Sequence, residues 1–521
     1  MRSRSRIAAA VMAAGLLPCS ALLAAPAAEP APAPCAPPAA ADPMPEGLGH
    51  DHDDPTQHRF ECRLRAAATL DLRDAVPEPQ MFGELDIAGD IVVMATTFPD
   101  AGFVVFDISD PLAPQLLSRF RGPHCETASD LDCGADVKVT PDARYAFLAV
   151  QRSGRGGDES TRLQPGIVTV DIADPRAPRQ ISFTRVPPVG VHMLAFHKIG
   201  DSGWVFARAR GLGPAQAQPG VAIYRVEPGG RLTKSSEIVA DGAHDVSLYD
   251  DPVDQTTYLY LSGAQAGTLS VYDVGDPLAP RAAGEWQPQP EVAGNQWYMH
   301  NASTFREGDR RYTFAGPELY EKFDPLPAGH GSVAGPLWLL DTTDHADIRM
   351  IGEWRNPGGH AAGNLTFSPH NTWYAGDAIT WTAHYHGGVW VLDWREVLSG
   401  DARRPREVGS HVPHVARRDF VTSDARDKFI TADAMMVRPL IWDVVVSAGG
   451  YGFASDINGG LIVLERPAAP AGDPPVHAPG EPKPASRSLP PAAMVAVIAA
   501  VAAGIVYAIL RRVSRARRAA P

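Results

Sequence analysis

Short apolar runs, most ending in an acidic residue and a proline-bearing turn, recur along the chain from about residue 85 to residue 464. Three copies are close: FVVFDISDPLAPQLL from Phe103, IVTVDIADPRAPRQI from Ile167 and LSVYDVGDPLAPRAA from Leu269. Four are looser: VAIYRVEPGGRLTKS from Val221, LWLLDTTDHADIRMI from Leu337, VWVLDWREVL from Val389 and LIVLERP from Leu461. Apolar runs of this length between turn signals read as buried strands. Pro fixes φ and an Asp side chain can satisfy turn amides, so the Asp-Pro-x-Ala-Pro turn has a mechanical basis. Upstream of each run lies a second strand, such as Tyr145 to Val150, and before it another, such as Asp136-Val-Lys-Val or Asp245-Val-Ser-Leu. About four short strands per unit, at an irregular spacing of roughly fifty residues, predict an all-β, seven-bladed β-propeller. The last unit stops after its third strand, at Leu464. Closing the ring then requires a strand from the N-terminal side, expected around Ala66 to Leu72.

The copies FDISDPLAP, VDIADPRAP and YDVGDPLAP resemble the LVIVD-repeat family of exported bacterial propellers, as do SPHNTWYAGD…HYHGGVWVLD and the late segment from Phe453. The resemblance covers about residues 80 to 465 and implies the propeller fold. More distantly, a propeller bearing histidines in this way is similar in kind to selenium-binding protein and methanethiol oxidase. No residue-by-residue match to that family's motifs is present, and its activity is not carried over.

The flanks have a different character. Residues 1–27 combine Arg2, Arg4 and Arg6, an apolar run and small residues near Ala25, the pattern of a secretory signal. Residues 28–60 are Ala/Pro-rich and predict a disordered linker, which leaves residues 61–466 for the propeller. Residues 467–490 form a Pro-rich stalk. An uncharged stretch within 491–511 has the length and polarity of a membrane span, and the basic tail 512–521 marks its cytoplasmic side. The expected arrangement is a single-pass protein of the cell membrane with its propeller on the extracytoplasmic side.

Composition adds little to this picture, apart from 48 Gly and 49 Pro, which suit many short strands. The net charge of -13 becomes more negative still once the arginines of the two ends are set aside. A folded part that acidic repels nucleic acid, which is excluded as a partner. Of the five cysteines, Cys125 and Cys133 bracket a short polar loop and are expected to form a disulfide in an oxidising compartment, while the pairing of Cys35 and Cys62 stays open.

Candidate chemistry rests on the histidines. Near the first strand of successive units come Val191-His192-Met193, Ala243-His244-Asp245, Met299-His300-Asn301 and Pro369-His370-Asn371. First strands line the channel of a propeller, so equivalent positions form a ring about one axis. His244, His300 and His370 are the first candidates for metal ligands, with His192 and His386 next. His384 and His386 share a strand face and are positioned to complete the set. Such imidazoles suit copper, zinc or iron, with neighbouring Asp or Asn orienting them. The plain alternative is a polar ring that bridges blades by hydrogen bonds. Glu318, Glu321 and Asp324 in GPELYEKFDP read as a solvated loop, and the tryptophans as blade packing. Two function classes follow: a tethered binding or scaffold module for a cell-surface protein, glycan or small ligand, or a metal-dependent oxidoreductase with its ion in the channel.

Overall fold

The structure is a computed structural model. It describes residues 60–72, 81–97, 100–124, 136–151, 165–187, 189–212, 218–240, 242–263, 267–288, 298–318, 335–356, 368–385, 387–413, 440–457 and 459–465. These residues form seven antiparallel sheets. The first strand of each sheet touches the first strands of both neighbouring sheets, and the last sheet meets the first, so the blades close into a ring.

Blade 1 is Phe82–Ala88, Ile91–Thr96, Asp100–Asp107 and Gln115–His124. Blade 2 is Val137–Val139, Tyr145–Val150, Gly166–Asp171 and Arg179–Arg185. Blade 3 is Val191–Ile199, Ser202–Leu212, Gln218–Val226 and Leu232–Val239, and blade 4 is Ala243–Asp251, Thr256–Gly263, Leu269–Asp273 and Arg281–Trp286. Blade 5 is Tyr298–Glu307, Arg310–Glu318, Pro336–Asp341 and Arg349–Arg355. Blade 6 is Thr372–Tyr374, Ile379–Ala383, Val389–Asp393 and Arg406–Val412, with Phe60–Cys62 added as a fifth strand on its outer edge. Blade 7 is Ile441–Val446, Tyr451–Asp456 and Gly460–Glu465, completed by Arg65–Asp71 from the N-terminal side. The closing strand expected around Ala66 to Leu72 is therefore present, and every repeated apolar run is the third strand of its blade.

Those runs are continuously apolar because both of their faces are buried. In blade 1, Phe103 and Val105 pack with Val137, Leu148 and Val168 of blade 2. The alternate residues Val104 and Phe106 pack with Phe453 and Val463 of blade 7. The same division recurs around the ring, so the core is a set of layers between adjacent blades. The tryptophans Trp338, Trp381 and Trp394 belong to these layers, as expected.

The repeated turn works as its sequence suggests. In blade 2 the Asp171 carboxylate accepts from Ala173 N at 3.0 Å and Asp174 accepts from Arg176 N at 3.1 Å. The same pair of contacts is made by Asp107 with Asp110 and by Asp273 with Asp276. Each fourth strand carries a one-residue bulge opposite the third, and the Arg65–Asp71 strand has it too, at Ala67. The residue just past the bulge is small: Ser118, Ser182, Ser236, Gly284, Gly352, Gly409 and Ala68. At three of them, Ser118, Ser236 and Gly284, the next blade's turn docks. Ser118 Oγ donates to the Pro175 carbonyl at 2.5 Å, and Ser236 Oγ donates to that of Pro277. At Gly284 a Cβ would stand 1.9 Å from the His345 carbonyl oxygen, so only glycine fits.

Among the described residues, no helix is long and apolar enough to cross a membrane. The expected signal, stalk and C-terminal span lie outside the described residues.

Candidate metal centre

The histidines stand out because of a second set of bulges. In blades 1, 3, 4, 5 and 7 the first strand carries one residue more than its partner, around Gly83-Glu84, His192-Met193, His244, His300 and Trp442. In blade 6, His370 N donates to Ala383 O while Asn371 O accepts from Ala383 N, so two residues again face one. A bulge breaks the strict alternation of faces and re-aims a side chain. Here it directs Glu84, His192, His244, His300, His370 and Trp442 toward the end of the channel where first strands begin.

The acidic or amide residue that follows does something else. Asp86 Oδ2 accepts from Val139 N of the next blade at 2.7 Å, and Asp136 Oδ2 accepts from Leu194 N at 2.9 Å. Asn301 Oδ1 accepts from Thr372 N at 3.1 Å, and Asp443 Oδ2 accepts from Leu85 N at 2.7 Å. These side chains buckle neighbouring blades together. The plain alternative therefore describes the Asp and Asn positions, whereas Nδ1 of His244, Nδ1 of His300 and both ring nitrogens of His370 make no hydrogen bond among the described residues.

Four imidazoles run side by side. Ring centroids are 4.8 Å apart for His192 and His244, 4.6 Å for His244 and His300, and 3.9 Å for His300 and His370. Trp442 continues the row, 4.2 Å from His370. Glu318, the last residue of the second strand of blade 5, faces them. Its Oε2 lies 3.9 Å from His244 Nε2 and 3.6 Å from His300 Nε2, and its Oε1 lies 3.8 Å from His370 Nε2. Three Nε2 atoms from three adjacent blades thus converge on one carboxylate.

These separations are too long for hydrogen bonds. They are close to what a shared ion requires, since two donors on a tetrahedral ion at about 2.0–2.2 Å stand about 3.4 Å apart. The ligand atoms of His244, His300 and Glu318 all lie within 4.8 Å of one another. Nδ1 of His244 and Nδ1 of His300 are buried with no hydrogen-bond partner among the described residues. His370 lies outside that group of three and approaches the carboxylate through its other oxygen, Oε1. The donor types, imidazole nitrogen and carboxylate oxygen, fit a transition metal.

Burial favours the ligand form of His244 and His370. Burial holds His244 well below the usual histidine range, and the neighbouring His300, His192 and Arg208 add to the effect. Burial and His300 likewise depress His370, although the Trp442 backbone acts weakly in the other direction. Both rings are therefore neutral near pH 7, with a lone pair to offer. On the other side, burial and then Asp443 raise Glu84 well above the usual carboxylate range.

Two expectations need correction. His384 does not complete the set: its Nδ1 lies 3.3 Å from Asn356 Nδ2 and its ring packs edge-on against Trp354. The residue that reaches the centre from this strand is Tyr385, whose hydroxyl donates to Glu318 Oε1 and whose ring is 5.2 Å from His370. Tyr385 has a φ of 45°, a left-handed conformation held by paired backbone bonds with Ile441. Glu318 is the second correction, since it is buried at the end of a strand and not solvated in a loop. Glu84 and Trp442 were also missed, although each occupies the bulge position in its own blade. His386, Glu321 and Asp324 lie outside the described residues, as do Cys125 and Cys133. Cys62 is disulfide-bonded, and every other cysteine lies outside the described residues.

No protein-family model matches the chain. No curated protein matches it in sequence. Solved structures do show likeness. A protein from Lactobacillus plantarum is 14% identical with a TM-score of 0.43, over 63% of this chain and 87% of that one. The periplasmic gluconolactonase of Pseudomonas aeruginosa is 16% identical with a TM-score of 0.43, over 63% of this chain and 86% of that one. Hydrazine synthase of Kuenenia stuttgartiensis is 13% identical with a TM-score of 0.45, over 74% of this chain and 96% of that one.

Proposed function

We propose that this protein is a metal-binding propeller in which His244, His300, His370 and Glu318 hold one divalent transition ion. The convergence of the three Nε2 atoms on one buried carboxylate, without hydrogen bonds among them, carries this reading. Three nitrogen donors and one oxygen suit zinc, copper or iron. Such an ion would supply Lewis-acid or redox chemistry, and copper or iron would suit a metal-dependent oxidoreductase. The chain's part is to keep the His244 and His370 imidazoles neutral and to fix the Glu318 carboxylate through Tyr385.

Elemental analysis of the purified full-length protein tests the proposal. About one equivalent of a single transition metal is expected, and His244→Ala, His300→Ala and Glu318→Gln should each lose it while still folding. A metal-free wild-type protein that resists loading with Zn2+, Cu2+ or Fe2+ would overturn it.

The competing reading is a binding or scaffold module for a cell-surface protein, glycan or small ligand. The Asp and Asn buckles favour it to the extent that they account for much of the polar channel structurally. In either case we propose LVIVD-type blades held outside the membrane by residues 491–511. Fractionation and protease accessibility of intact cells would test that placement.

A further inference from the structure

Glu84 occupies in blade 1 the bulge position that holds histidine in blades 3 to 6, and it meets the His370 ring at the nitrogen that Glu318 does not approach. Its Oε1 lies 3.7 Å from His370 Nδ1, on the side of the ring opposite the Nε2 that approaches Glu318 at 3.8 Å. Both side chains of this pair are buried, with 1% of each exposed. The carboxylate is held from two other directions. Trp442 Nε1 donates to Oε1 at 3.1 Å, and Asn371 Nδ2 donates to Oε2. His370 is therefore flanked by a carboxylate beyond each ring nitrogen, and each carboxylate has a fixed donor of its own: Tyr385 for Glu318, Trp442 and Asn371 for Glu84.

A histidine that binds a metal through one nitrogen usually donates its other N–H to a carboxylate or carbonyl, which fixes the tautomer and the ring plane. We propose that Glu84 is the positioning residue for His370, taking its Nδ1–H so that the Nε2 lone pair points at the ion. This rests on the metal centre proposed above. The Nδ1–H and the carboxylate need close by only a fraction of an ångström to bond. Blade 1 thereby contributes to the centre without supplying a ligand. The competing orienting group is the backbone of Trp442, which also lies beside the His370 ring.

The test is a chelator-competition titration of the full-length protein with Zn2+. Glu84→Gln keeps the shape of the side chain but cannot accept from all its donors at once. It should weaken Zn2+ affinity by about 10–100-fold, the usual effect of removing such a partner. Trp442→Phe, which removes one donor that holds Glu84, should weaken it in the same direction and serves if the first variant does not fold. The decisive comparison is made in a His370→Ala background, where Glu84→Gln should cause no further loss. An equal loss in that background would make Glu84 a general structural residue and overturn the inference. Unchanged affinity in Glu84→Gln on the native background would also overturn it, leaving the Trp442 backbone as the orienting group. Failure of the wild-type protein to bind Zn2+ or any other transition metal would overturn the centre itself, and this inference with it.

Discussion

His384 shows how much the surroundings of one side chain decide. It has the same residue type as the proposed ligands but follows the second strand of its blade, where burial against Trp354 and Asn356 pushes its pKa down to about 3. An unfolded histidine titrates near 6.5. Above that pH neither state holds the proton, and the shift has no effect on stability. As pH falls below it, the unfolded chain takes up a proton that the folded chain refuses, so stability declines until about pH 3. Near pH 5 the loss amounts to about 2 kcal/mol. Asp86 and Asp245, pushed up to about 6 by burial, act in the opposite sense and lose stability as pH rises through that value. Comparing wild type with His384→Gln cancels those carboxylates. In urea denaturation, the difference between the two proteins should shift by about 2 kcal/mol against wild type between about pH 7.5 and about pH 5. A difference that does not depend on pH would show that His384 is not held neutral.

At the scale of the strand, the informative devices are bulges. At Ser118 and Ser236 the bulged fourth strand receives the Asp-Pro turn of the next blade, and at Gly284 it receives the turn at His345; the sequence shows both the turn and the small residue. What it does not show is that they touch, because register is set by pairing across the sheet. Gly284→Ala tests the contact. Its Cβ would collide with the His345 carbonyl, so we expect a destabilisation of at least about 1–3 kcal/mol, read as a lowered thermal midpoint. The equivalent change at Ser182, which bonds no turn carbonyl, should be milder. The first-strand bulges have the more important consequence. Period-2 alternation would place His244 and Asp245 on opposite faces with no preference for the channel mouth. The extra residue separates a histidine free for chemistry from an acid that buckles blades.

For the molecule as a whole, the ring is what creates the site. His244, His300 and His370 are more than fifty residues apart in the chain, and they meet because the same position recurs in adjacent blades. Closure by Arg65–Asp71 is therefore a condition for both fold and centre. Without it, the Gly460–Glu465 strand would present an unpaired edge with fully buried Leu461 and Val463 exposed. Removing residues 1–72 should give aggregated protein by size-exclusion chromatography, with no cooperative unfolding by circular dichroism. A monomeric, cooperatively folded product would show that three strands suffice in blade 7.

The repeats made the blade number, the third strands, the turn mechanism and the N-terminal closing strand legible from sequence, since each depends on local pattern and copy number. The sequence also marked His244, His300 and His370 as equivalent. It could not show that Glu318 turns inward, that Tyr385 and not His384 reaches the centre, or that Glu84 and Trp442 belong to the same row. Those facts depend on bulges, on a left-handed residue and on contacts between blades, all of which arise only when the sheets are packed into a ring.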